Sequence, residues 1–142
     1  MKLSQNFTLA ELTHTDTGIP NNPSQGEINN LKLLVQKVLQ PVRDKFGVIN
    51  VTSGFRSPLV NSAVGGSATS DHVHGRAADI QCEDMAAVFN YIRKQLHFKQ
   101  LIWEFGTDAQ PKWIHVAYDV NNNKGEVLKA IKKGGKTKYV QF

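Results

Sequence analysis

"SDHVHGRAADIQC", residues 70–82, is the stretch on which the reading of this chain turns. Its second half, "RAADIQC", predicts a short β-strand. Side chains alternate between the two faces of a strand. Ala77, Asp79 and Gln81 then share one face, and Ala78, Ile80 and Cys82 the other. Ile80 and Cys82 belong with a core, so Asp79 points the opposite way, and the small residues beside it leave room for something to approach. "WIHVAY", residues 113–118, divides in the same manner, with Trp113, His115 and Ala117 opposite Ile114, Val116 and Tyr118. If the two strands are neighbours, His115 joins the face of Asp79. His72 reaches in from the preceding loop, with Gly75 supplying the turn. Two imidazoles, one carboxylate and an open fourth position are the donor set of a catalytic zinc site.

Outward from this centre, the chain reads as helices mixed with hairpin-forming strands. Thr8 and Glu11 in "FTLAEL", and Ser24 with Glu27, stand at capping-box spacing. Ile28, Leu31, Val35, Val38, Leu39, Val42 and Phe46 recur at helical spacing, which predicts a helix over about 24–46. Pro41 should kink or divide it, and Gly47 ends it. "VINVTSGF" reads as a strand, and the Gly/Ser-rich run 57–75 as a long loop, of a length that is usually functional or disordered. "EDMAAVFNYIRKQL" predicts a helix capped by Asp84, and "QLIWEF" pairs with "WIHVAY" as a hairpin. "GEVLKAIKK" reads as a short helix or turn, and "KYVQF" as a last strand. The class is α+β, with a small antiparallel sheet flanked by helices.

The chain has 142 residues, an apolar fraction of 40% and a net charge of +5. That length predicts one domain over 1–142. No apolar run approaches the ~20 residues that cross a bilayer, and the N-terminus lacks a secretory h-region. Synthesis in the cytoplasm is expected, with release by another route if the protein acts outside. The lone Cys82 excludes an internal disulfide. The positive charge favours an anionic partner, but the basic residues are scattered and no nucleic-acid motif accompanies them.

Ser70, His72, Gly75, Ala77 and Asp79 match Ser-x-His-x-x-Gly-x-Ala-x-Asp. With "TSGFRSP" before it and "WIHVAY" after it, the chain resembles the zinc D-alanyl-D-alanine carboxypeptidases and L-alanyl-D-glutamate peptidases of the hedgehog-like superfamily. It looks most like the short phage or prophage type. The resemblance implies one Zn2+ per chain on His72, Asp79 and His115, its register selecting His72 over His74. It implies that Arg56 steadies the substrate carbonyl and that Ser70 contacts substrate. Several relatives carry an acid three residues before the last histidine, where this chain has Lys112. Glu104, on the preceding strand, is then the expected general base, with Asp108 as the fallback. His14 and His97 read as surface residues, Cys82 as an inert thiol, and Trp103 and Trp113 as packing residues.

The implied function is hydrolysis of peptide bonds in peptidoglycan stem peptides, by an endolysin-like endopeptidase or a D-Ala-D-Ala carboxypeptidase. The alternative is a catalytically inactive zinc-binding domain that recognises cell-wall peptides. The expected partner is bacterial peptidoglycan, met by a monomer after release or as part of a virion. Nucleic acid and membrane insertion are not expected.

Overall fold

The computed structural model describes residues 1–142. Both capping boxes form. Thr8 and Ser24 accept from the backbone N–H groups of Glu11 and Glu27, whose carboxylates accept in return from the cap backbones. These caps start α1 (Leu9–Leu12) and α2 (Gln25–Leu34). Pro41 has no N–H to donate, and its ring crowds the carbonyl one turn back. The helix absorbs this by widening into a π turn, Val35–Leu39, before α3 (Gln40–Phe46) resumes. The expected division at Pro41 therefore takes the form of a wider turn.

The remaining elements are β1 (Asn50–Ser53), α4 (Pro58–Ala63), a 3-10 turn (Asp71–His74), β2 (Ala77–Gln81), α5 (Met85–Gln95), β3 (Gln100–Glu104), β4 (Trp113–Ala117), β5 (Glu126–Lys133) and β6 (Lys136–Gln141). Asp84 caps α5, its side chain accepting from the Ala87 N–H. The strands form one sheet in the order β1-β2-β4-β3-β5-β6. β3 pairs with β5 in parallel and every other neighbouring pair is antiparallel. The α+β class expected from the sequence is the class observed.

Two segments differ from expectation. The run 57–75 is not all loop: Ser57 caps α4, and Pro58 sits where its missing N–H costs nothing. "GEVLKAIKK" is strand β5, not helix or turn. β3 needs a partner on its outer edge. Gly134 and Gly135, both at positive φ (59° and 77°), reverse the chain in two residues so that Lys133 faces Lys136.

One face of the sheet is apolar. Ala78, Ile80, Leu101, Trp103, Ile114 and Val116 join the buried residues of α2, the π turn, α3 and α5 in one core. Phe89 of α5 meets Trp103 edge-on, with centroids 5.2 Å apart. Cys82 packs against the same core, and burial pushes its thiol pKa up. No helix is long and apolar enough to cross a membrane.

Candidate metal centre and its cleft

The pleat that buries Ile80 and Ile114 on one side presents Asp79 and His115 on the other. These two are direct cross-strand partners in β2 and β4, and Asp79 Oδ1 lies 3.1 Å from His115 Nδ1. His72 arrives from the 3-10 turn. Ser70 caps that turn, its hydroxyl accepting from the His72 N–H at 3.2 Å. Gly75 closes it at φ 72°, in the left-handed region, where a Cβ would strike the Glu27 carbonyl. His72 Nδ1 donates to the Gly54 carbonyl at 2.7 Å. That bond fixes the tautomer and leaves Nε2 free, 3.4 Å from Asp79 Oδ1.

One donor atom from each of His72, Asp79 and His115 lies within 4.8 Å of the others. Two nitrogens and one carboxylate oxygen, converging at the wall of an open cleft, fit a single zinc-sized ion with a position to spare. His74, by contrast, is exposed and stands outside the trio.

The surroundings aim these donors. Asp79 turns Oδ1 to both imidazoles and Oδ2 to Arg56 Nη2 at 3.4 Å. Burial works against the Asp79 charge, but hydrogen bonds and charge from His115 and His72 outweigh it. They hold the carboxyl below the usual carboxylate range. Arg56 is itself held, donating from Nε to Ser53 Oγ at 3.0 Å and from Nη1 to Asn61 Oδ1 at 3.4 Å. A β-bulge brings Ser53 opposite Asp79: Val51 faces Ile80, and Thr52 is the extra residue.

Glu104 ends β3 on the same face and is only 6% exposed. Burial raises its pKa to about 7; the His115 charge opposes the shift and the Asp79 charge adds to it. A cleft of about 650 Å³ is lined by the trio together with Arg56, Ser70 and Glu104, so all six expected site residues meet in one place. Asp108, the fallback base, does not line it. That residue sits on an exposed turn, ion-paired with Lys129. His14 pairs with Asp16 at the surface, and His97 is exposed. Trp103 is core, whereas Trp113 lines the cleft.

The sequence reading missed two groups. Asn61 is buried, and its Nδ2 donates to the Ser67 carbonyl at 2.8 Å while its oxygen steadies Arg56. A single asparagine in a loop gave no signal of this. Lys132, Thr137 and Tyr139 also line the cleft. Their signal was the Gly134-Gly135 pair between two strand-like runs, which marks a hairpin.

Fold and site together define the class: an α+β protein with a His–Asp–His donor set for one metal ion at the wall of an open cleft. The chain belongs to the peptidase M15 family, whose model matches residues 5–117. It is similar to the zinc D-Ala-D-Ala carboxypeptidase of Streptomyces albus G, being 37% identical over 78 residues, 53% of this chain and 31% of that protein. The match thus spans about a third of that relative's length. The zinc expected from the sequence agrees with the donor set and the family.

Proposed function

We propose that this chain is a zinc-dependent peptidase that hydrolyses peptide bonds in peptidoglycan stem peptides, as an endolysin-like endopeptidase or a D-Ala-D-Ala carboxypeptidase. The observation that carries the reading is Glu104: a buried carboxyl on the metal face of the sheet, with its pKa raised to about 7. A structural carboxylate is normally tuned for permanent charge. A proton carrier works best with its pKa near the working pH.

His72, Asp79 and His115 would hold the ion. When bound, zinc supplies Lewis acidity, which acidifies water and polarises a carbonyl. Glu104 takes the proton of the attacking water and returns it to the leaving amide nitrogen. Arg56 keeps Asp79 oriented and turns positive charge towards the oxygen that becomes anionic. Ser70 holds the His72 turn and offers its hydroxyl at the cleft wall to the substrate. The six residues act as one unit within a single domain, 1–142, that works as a monomer on the cell wall, after release from a cell or as part of a virion of the phage type.

The test is digestion of purified peptidoglycan, with mass analysis of the products, with and without chelator. Loss of one alanine per stem identifies a carboxypeptidase, and release of stem peptides or cross-linked pieces an endopeptidase. A zinc-loaded protein that binds stem peptides and cleaves none would refute hydrolysis and leave a binding module.

A further inference from the structure

The family match ends at Ala117, yet the sheet continues for two more strands. β5 pairs in parallel with β3, placing Leu128 beside Ile102 and Ala130 beside Glu104. β6 adds Thr137 opposite Lys132 and Tyr139 opposite Ala130. Pleat and register therefore put Leu128, Lys132, Thr137 and Tyr139 on the metal face, where they form one wall of the cleft. The Tyr139 phenol is raised by burial and by the charges of Glu104 and Asp79, in keeping with that placement.

The hairpin is cationic, and Lys132 is its one lysine that lines the cleft. Residues 126–142 hold five lysines and one glutamate, in a chain whose net charge is +5. Lysines on an edge strand commonly guard it against pairing with other chains, which accounts for Lys136 and Lys138 on β6. It does not account for Lys132, which lies on the interior strand β5 and on its inner face. Lys132 Nζ sits 5.3 Å from the Phe105 ring centroid and donates to Thr137 Oγ1 at 3.0 Å, and it forms no ion pair with a carboxylate. Phe105 directly follows Glu104 and is the one non-glycine residue at positive φ, 59°. Strain of this kind persists where the surroundings enforce it, often at binding sites. Here it sets the ring beneath Lys132 and against Trp113, with centroids 5.5 Å apart. An ammonium held by a ring and a hydroxyl keeps donors free for an acceptor in the cleft.

We propose that the β5–β6 hairpin is the substrate-reading wall of this site, with Lys132 the specificity determinant that binds a carboxylate of the peptide near the scissile bond. The inference rests on the stem-peptide reading above and adds to it which group of the peptide is read. A charge-assisted bond from a pre-held lysine is stronger than a bond from the same lysine to an amide, which separates acidic stem peptides from amidated ones.

The experiment uses the zinc-loaded Glu104→Gln protein, residues 1–142, and two synthetic stem tetrapeptides, one with its carboxylates free and one with them amidated. Titration calorimetry should give about tenfold or more tighter binding of the acidic peptide, a ratio that rising salt reduces. Lys132→Met should bring the ratio to about one, and Lys132→Arg should keep most of it. A ratio that survives Lys132→Met, or no measurable binding of either peptide, overturns the proposal. Turnover of the same peptides by the wild-type holoenzyme is scored separately. A Lys132-dependent ratio without cleavage sinks the peptidase reading alone. Cleavage with a ratio insensitive to Lys132 sinks the hairpin inference alone.

Discussion

Glu104→Gln separates the chemistry of this site from its architecture. Glutamine matches glutamate in shape and cannot carry the charge. In the metal-free protein the Glu104 pKa is about 7, against 4.5 for a free glutamate side chain. An acid whose pKa rises on folding binds its proton more tightly when folded. Its contribution to stability is complete below pH 4.5 and disappears as pH climbs through 7. At 1.36 kcal/mol per unit the shift corresponds to about 3 kcal/mol, or about 2 kcal/mol after discounting for solvent on the open side of the cleft. Urea unfolding of chelator-treated wild type and E104Q at several pH values between 5 and 8 measures this directly. The difference between the two should swing towards E104Q by about 2 kcal/mol over that range. E104Q should still bind one zinc per chain, while hydrolysis falls by about 10²–10⁴-fold. Two stability curves that stay parallel across the range refute the assigned environment of Glu104. Retained hydrolysis refutes its role.

His115→Ala should reduce zinc bound after dialysis from one per chain to background, read by elemental analysis, because two donors no longer make a closed site. Gly54→Ala drives a Cβ into the Leu12 carbonyl and displaces the carbonyl that orients His72. Thermal unfolding should report a loss of about 1–3 kcal/mol, and competition with a chelating dye a zinc affinity weaker by about 10–100-fold. Asp79 has a lowered pKa, so its contribution is present above its unfolded value of 3.8 and is lost as pH falls. Asp79→Asn should flatten that acid limb in the metal-free protein, as followed by circular dichroism.

The centre of the molecule was legible because two strands carry their own face assignment. In "RAADIQC" and "WIHVAY", apolar residues at every second position mark the core side, and Asp79 and His115 occupy the alternate positions. Caps were legible because Thr8, Ser24 and Asp84 act through residues three positions away. What depends on distant partners was not legible. β5 carries Val127 and Ile131, spaced as well for a helix as for a strand. Its state is decided by the free edge of β3 and by two glycines after it. The same holds for Arg56, whose three partners come from β1, α4 and β2. An arginine in a loop predicts a charge, and only packing says what the charge is tied to.

Register is the quantity on which this site stands. Asp79 faces His115, Ile102 faces His115 from the other side, and Glu104 lies one pleat period further along β3. A slip of one residue in β4 would bring Ile114 into the cleft and turn His115 into the core between Ile80 and Trp103, the partners that Ile114 now has. The same slip would strand an imidazole in an apolar core and expose isoleucine, so the core enforces the alignment that the metal needs. The bulge in β1 works to the same end. Without Thr52 as an extra residue, Ser53 would share the core face with Val51 and could not hold Arg56. The forces that fold the sheet and those that build the site are therefore not in competition. Hydrophobic burial on one face selects a single register, and that register delivers three ionisable groups, Asp79, His115 and Glu104, to the other face.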